Sequence, residues 1–265
     1  MSRGLTWLRA FGGSSQAGAV RIADVQWGGE SLRIVCVVPD PHARFPRART
    51  GQVGIEEGWT IAAAVRQAID VDRGSRPRAI IAIVDVPGQA FGYHEEAIGL
   101  HESLAAAVDA YASARLAGHP VVALIVGKAI SGAFLAHGLQ AGALIALDDD
   151  GVEVHVMSAA SVARVTRRSE TEVAELAKVV PATARGVRAF AQLGAIDRLL
   201  EVEHADAPTT GDVESAKAIL VQTIAMLRTD ARDPADRLRN TSASQSRAMS
   251  LRVRQLLEAQ WDANA

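Results

Sequence analysis

The sequence predicts an α/β fold in which a mostly parallel sheet is buried on both faces. Three observations lead to it. Four short apolar runs lack alternation: SLRIVCVVP at Ser31–Pro39, AIIAIVDV at Ala79–Val86, VVALIV at Val121–Val126 and ALIAL at Ala143–Leu147. Such runs are expected of strands covered by helices on both sides. They alternate with helical segments, the pattern of parallel strands joined by crossovers. The segment after Val126 is rich in small residues, Gly127, Gly132, Ala133, Ala136 and Gly138, which let a backbone approach a sheet or a ligand closely. Periodicity fits a stacked ββα arrangement and a doubly wound sheet equally well.

Residues 1–30 are Gly- and Ser-rich around FGGSSQAGAV and read as a flexible lead-in or a contact with another chain. Ser31–Pro39 is the first strand. Asp40–Gly54 holds Pro41 and Pro46 and reads as a loop. Its Arg44, Arg47 and Arg49, with Arg33 just before, either grip a phosphate or carboxylate or form a solvated basic loop. Ile55–Val71 is helical, with Ile61, Ala62, Val65 and Ile69 on one side. Pro87-Gly88 stops the strand at Ala79–Val86. Tyr93 opens a long helix to about Leu116, and Glu95 and Glu96 in its first turn suit the helix dipole. Gly118-His119-Pro120 ends that helix and leads into Val121–Val126. A tight turn over Gly127–Ile130 and a helix opening at Ser131-Gly132 follow, then the strand Ala143–Leu147. Asp148–Gly151 is a turn and Val152–Met157 a short strand. Ser158 caps a helix over Ala159–Val165. Glu170–Val179 and Ala182–Leu193 are helices separated by Pro181, and Leu199–Val202 is a short apolar segment. Asp212–Leu227 and Ala248–Trp261 are the last helices. The expected organisation is an extension at 1–30, an α/β domain at 31–202 and a helical extension at 203–265.

Composition narrows the function classes. The net charge is −2, and no basic stripe with interleaved aromatics appears, which argues against nucleic acid as a partner. Cys36 is the only cysteine, so no disulfide forms within the chain; it reads as a buried strand residue. No uninterrupted apolar segment reaches the length of a membrane span, and the N-terminus lacks the features of a signal peptide. The expected location is cytoplasmic. Aromatics make up 4% of the chain, and Trp7, Trp27, Trp59 and Trp261 lie outside the central stretch, where they mark subunit contacts or local packing.

Several motifs fail on inspection. Gly127 and Gly132 have phosphate-loop spacing, but Ala133-Phe134 replaces the required Lys and Ser/Thr. No G-x-G-x-x-G follows a strand. Ser131 lacks the G-x-S-x-G elbow. His94-Glu95 has no histidine at position 98, so the helical zinc motif is absent, and no metal site is expected. What remains is the turn at Ser131-Gly132. Its free backbone N–H groups read either as half of an oxyanion hole or as the start of a tightly packed helix without chemistry.

Two stretches carry a resemblance. Val84-Asp85-Val86-Pro87-Gly88-Gln89-Ala90-Phe91-Gly92-Tyr93-His94-Glu95-Glu96 resembles the D-x-P-G…G…E-E turn of the acyl-CoA carboxyltransferases. Gly118–Val122 followed by Gly127–Ala133 resembles their second glycine-rich turn. The chain is thereby similar to the carboxyltransferase branch of the ClpP/crotonase-like superfold, a stacked ββα superhelix with C-terminal helices. Within that branch it is most similar to the gamma subunits of biotin-independent malonate decarboxylases. The similarity runs roughly over 31–202 and includes Ser158–Arg164.

The resemblance implies a malonyl thioester decarboxylated to an acetyl thioester and CO2 through an enolate held by backbone N–H groups. It implies Gly132 and Ser131 at the second turn, and Gly88 and Gln89 at the first, as those donors. Gly127, Lys128, Gly92, Tyr93 and His94 are the neighbouring substrate-binding candidates. It implies no cofactor bound covalently to this chain. The substrate rides on the phosphopantetheine-type arm, a dephospho-CoA derivative, of an acyl carrier protein. The implied partners are a homologous beta subunit, the acyl carrier protein and an acyl-carrier transferase subunit. The sequence also departs from the pattern. Leu135 stands where the hydratases of the superfold have a glutamate, and Ala129, Ile130 and Ala133 replace glycines of the second turn. Lys128, Tyr93 and His94 lie near the turns, but none is marked as the proton donor. A biotin-dependent alpha-type carboxyltransferase subunit and a non-catalytic scaffold subunit remain as alternative readings.

Overall fold

A computed structural model describes residues 2–13 and 17–263. The chain runs α1 (Arg3–Ala10), β1 (Val20–Trp27), β2 (Glu30–Val37), α2 (Ile55–Val71), β3 (Ala79–Val86), α3 (Tyr93–Ala97), α4 (Leu100–Leu116), β4 (Val121–Ile130) and α5 (Ser131–Ala136). It continues through β5 (Ala143–Leu147), β6 (Glu153–His155), α6 (Ala159–Thr166), α7 (Glu170–Val179), α8 (Val187–Gln192) and β7 (Arg198–Leu200). The last helices are α9 (Thr210–Thr229), α10 (Thr241–Ser246) and α11 (Ala248–Ala263).

The strands form one sheet in the order β1-β2-β3-β4-β5-β7, with β6 paired to the far end of β4. Every pairing is parallel except β1 with β2. The parallel core explains the missing alternation: Ile80, Ile81, Ala82 and Ile83 are all fully buried, as are Val122, Ala123, Leu124 and Ile125. On β2, Arg33 reaches the Ala64 carbonyl of α2, whereas Cys36, of opposite parity, faces Gly4 of α1. The two helices therefore lie on opposite faces of the sheet. Cys36 is fully buried, and burial pushes its thiol well above the usual range, so it is an inert core residue.

Five expectations are corrected. Residues 3–27 are not a loose lead-in: α1 packs on the sheet, and β1 pairs with β2 from Val20↔Val37 to Trp27↔Glu30. The middle of FGGSSQAGAV, residues 14–16, lies outside the described residues. The helix expected from Tyr93 to Leu116 is broken, because Gly99 adopts φ 95° between α3 and α4. The expected turn at Gly127–Ile130 is strand, since β4 continues to pair with β6 through Ile130. The expected helix at Ala182–Leu193 is a 3-10 turn at Pro181–Thr183 followed by α8. Arg33 does not belong with the basic loop; it is buried in β2 and paired with Asp24 at 2.7 Å. Of the tryptophans, Trp7 is fully buried and donates from Nε1 to the Ala205 carbonyl at 2.9 Å. Trp27 packs edge-on to Phe11, while Trp59 and Trp261 are exposed.

Candidate functional site

The site begins with an irregularity in the central strand pair. Val84 pairs with Ile125, but Val86 pairs with Ala129. Between these pairs β3 has one residue, Asp85, and β4 has three, Val126, Gly127 and Lys128. Bulges of this kind re-aim a strand end. Asp85 fills the gap: its carboxylate accepts from the Lys128 N–H at 3.2 Å and from the Gly4 N–H of α1 at 3.0 Å. Gly127 is required because a Cβ there would collide with that carboxylate. Arg3 closes the same corner through Asp206 and Asp149, each at 2.6 Å.

Beyond the bulge the chain turns into α5. Ser131 enters it at φ 55°, one of two non-glycine residues with positive φ among the described residues. Left-handed backbone at a non-glycine residue is costly and persists where its surroundings enforce it. His137 ends the helix. It is fully buried; Nδ1 accepts from the Tyr111 hydroxyl at 3.0 Å, and Nε2 donates to the Ile83 carbonyl at 2.9 Å. Burial pushes its pKa down to about 4, so the ring is neutral and this tautomer satisfies both nitrogens.

The first and second turns meet at one contact. The Gly132 N–H donates to Gln89 Oε1 at 3.0 Å. Gln89 is carried on a loop stitched to Val53: the Val53 N–H donates to the Gly88 carbonyl at 3.0 Å, and the Ala90 N–H donates to the Val53 carbonyl at 2.8 Å. Gly88 adopts φ 139°. Among the described residues, the N–H groups of Gly88 and Gln89 have no hydrogen-bond partner.

Ser131 and Gly132 also line a cleft of about 460 Å³. Its walls are mostly apolar and include Phe134, Leu135, Met157, Val173 and Phe190. Leu135 contributes an apolar surface. Polar groups enter from β6 and the segment before α8. His155 Nε2 lies 2.8 Å from Arg185 Nη2 and 3.2 Å from Glu153 Oε2. Glu153 Oε2 holds the same arginine nitrogen at 2.9 Å. Burial, then the Arg185 charge, lowers the His155 pKa.

The remaining sequence candidates are dispersed. Gly127 is locked in the bulge and Lys128 projects to solvent. Gly92 caps α3, and Tyr93 and His94 are exposed on that helix, edge-on to each other and outside the cleft lining. Sequence reasoning missed Asp85, Glu153, His155 and Arg185. Asp85 was visible in the sequence as the acid of the D-x-P-G stretch, but nothing there connected it to the backbone of Lys128 and Gly4. Among the described residues no cluster of side chains suits a metal ion.

The malonate decarboxylase gamma-subunit family model matches residues 48–261 of the chain. The chain belongs to that family. The chain is also similar to a chain in the solved structure of a Pseudomonas malonate decarboxylase hetero-tetramer in complex with coenzyme A. That structure matches at 48% identity and a TM-score of 0.91, over 98% of this chain and 100% of the other. The Pseudomonas MdcD-MdcE hetero-dimer matches at 47% and 0.87 over the same shares. Among curated proteins, the malonyl-S-ACP:biotin-protein carboxyltransferase MADD of Malonomonas rubra is 39% identical over 189 residues, 70% of this chain and 61% of that protein. The chain thus spans about three fifths of that relative. Transcarboxylase 12S, at 20% identity and TM-score 0.61 over 81% of this chain and 38% of the other, shares the fold. The carboxyltransferase-type crotonase fold expected from the two glycine-rich turns is therefore the fold of this chain.

Proposed function

We propose that this gamma-type subunit forms, with a homologous beta subunit, a site that decarboxylates a malonyl thioester. The observation that carries the reading is the meeting of the two turns: Gln89 from the first sits on the Gly132 N–H of the second, at the edge of an apolar cleft. A thioester oxygen placed there displaces a neutral amide, an exchange of roughly 1 kcal/mol. Loss of CO2 breaks a carbon–carbon bond, and its electron pair moves into the thioester as an enolate. In this reading the Gly132 N–H, released from Gln89, holds that oxygen together with the N–H of Gly88 or Gln89. A proton then completes the acetyl group. In this reading the acyl group arrives on the phosphopantetheine-type arm of an acyl carrier protein. A carrier transferase subunit reloads the carrier in the cytoplasm, and residues 31–202 supply the catalytic layer.

The test is CO2 release from malonyl-S-carrier by this chain, by the beta subunit and by the two mixed. The reading expects activity in the mixture alone. It expects Gly132→Val, whose added carbon meets Gln89 at 3.4 Å and Leu104 at 3.6 Å, to lower the rate at least 100-fold in a complex that still assembles. One observation favours a scaffold role instead: the Gly132 N–H already has a partner within its own chain. Full activity of the Gly132→Val complex selects that role.

A further inference from the structure

Among the described residues, one cation faces the apolar cleft. Arg185 lines it with 42% of its side chain exposed. Its Nη2 is committed to Glu153 and His155. Among the described residues, its Nε and Nη1 have no hydrogen-bond partner. The backbone beneath is fixed: the Val154 N–H donates to the Arg185 carbonyl at 2.8 Å, and Gly186 bridges Glu153. Strand β6 is in turn registered on β4, with His155 opposite Ile130, the residue before Ser131. Two strand spacings, roughly 10 Å, separate the Arg185 backbone from Ala129 of β4, and the turn that holds Gly132 begins two residues beyond Ala129. An arginine side chain and a short acyl group together bridge that distance.

We propose that Arg185 receives the free carboxylate of the acyl group and so separates the carboxylated substrate from its decarboxylated product. The proposal rests on the decarboxylase reading. A guanidinium whose plane is set through one nitrogen presents its others to a carboxylate in a fixed orientation. Glu153 sets the plane and remains partly hydrated, with 35% of its side chain exposed. The apolar walls around the arginine raise its selectivity for an anion that reaches it. When the carbon–carbon bond breaks, the carboxylate becomes neutral CO2 and the ion pair vanishes. The contact is thus stronger in the bound substrate than at the transition state and is absent in the product complex. Such a contact governs KM and product release rather than kcat.

The experiment uses the assembled complex with malonyl-S-carrier as substrate and acetyl-S-carrier as competitive inhibitor. Arg185→Gln is expected to raise KM for the malonyl carrier about 10- to 100-fold. The same variant leaves kcat no lower than wild type and the acetyl-carrier inhibition constant within about twofold. Arg185→Lys, which keeps the charge and loses the fork, falls between. Equal weakening of malonyl and acetyl carriers, a fall in kcat at constant KM, or no change overturns the assignment. If the glutamine variant does not assemble, the lysine variant decides by the same selectivity. A wild-type complex that releases no CO2 overturns the decarboxylase reading and the carboxylate role with it. An active wild type with unselective Arg185 variants overturns only the role.

Discussion

Ser131 shows how a single residue reports a site before any chemistry is assigned. Its φ of 55° suits glycine, yet the chain keeps a serine between a bulged strand and a short helix. Ser131→Gly is therefore expected to be neutral or stabilising, and Ser131→Val to lose about 1–2 kcal/mol, as read by urea unfolding. At this scale the sequence was partly legible. Gly132 and Gln89 were marked by the two glycine-rich turns, and the structure brings them to 3.0 Å. Arg185 and His155 were not marked, because each is polar in a locally ordinary setting. Only the pairing of β6 with the end of β4 carries them to the cleft. Tyr93 and His94 were marked by nearness in sequence, but the break at Gly99 leaves them on a short exposed helix.

At the scale of elements, α5 is held from behind. His137 ties its C-terminal end to the Ile83 carbonyl of β3 and to Tyr111 of α4. Its pKa of about 4 lies below the ordinary histidine value, so the unfolded chain takes up this proton first as pH falls. The stability contributed by neutral His137 is complete above about pH 6.5 and is lost progressively toward pH 4. Between pH 7 and pH 5 the loss is roughly 2 kcal/mol. Urea unfolding at both values checks this: His137→Gln, already weaker at pH 7, should lose about that much less on acidification. The strands were the most legible elements, because double-sided burial leaves uninterrupted apolar runs. Element ends were less so. The length of β4 depends on Asp85, a residue of the neighbouring strand that local pattern does not connect to it.

For the whole molecule, the first 30 residues are where the sequence reading departed furthest from the structure. Glycines and serines there suggested a loose segment, and the short α1 was invisible because its fully buried apolar side chains are only Trp7 and Leu8, finished by Phe11 just past the helix. These side chains pack where α1, the sheet and the segment before α9 converge, with Trp7 bonded to Ala205. Trp7→Ala is expected to cost about 3–5 kcal/mol, measured as a fall in the denaturation midpoint. The mostly parallel α/β layout followed from the alternation of strand and helix, while the strand order came only from the structure. What closes the molecule did not, because Arg3 with Asp149 and Asp206, and Arg228 with Glu30 at 2.6 Å, join residues far apart in the chain.

The corner built by Arg3, Gly4 and Asp85 bears on how the protein is made. Arg3 and Gly4 leave the ribosome well before their partners at positions 85, 149 and 206. The helix that braces the bulge therefore waits, unpaired, while most of the chain is translated. Contacts across such separations form slowly, and until they form the apolar side chains of α1, Trp7 and Leu8 among them, are exposed. Maturation of the site is thus a late event, and in the nascent chain the amino-terminal helix is the segment for a chaperone to shield.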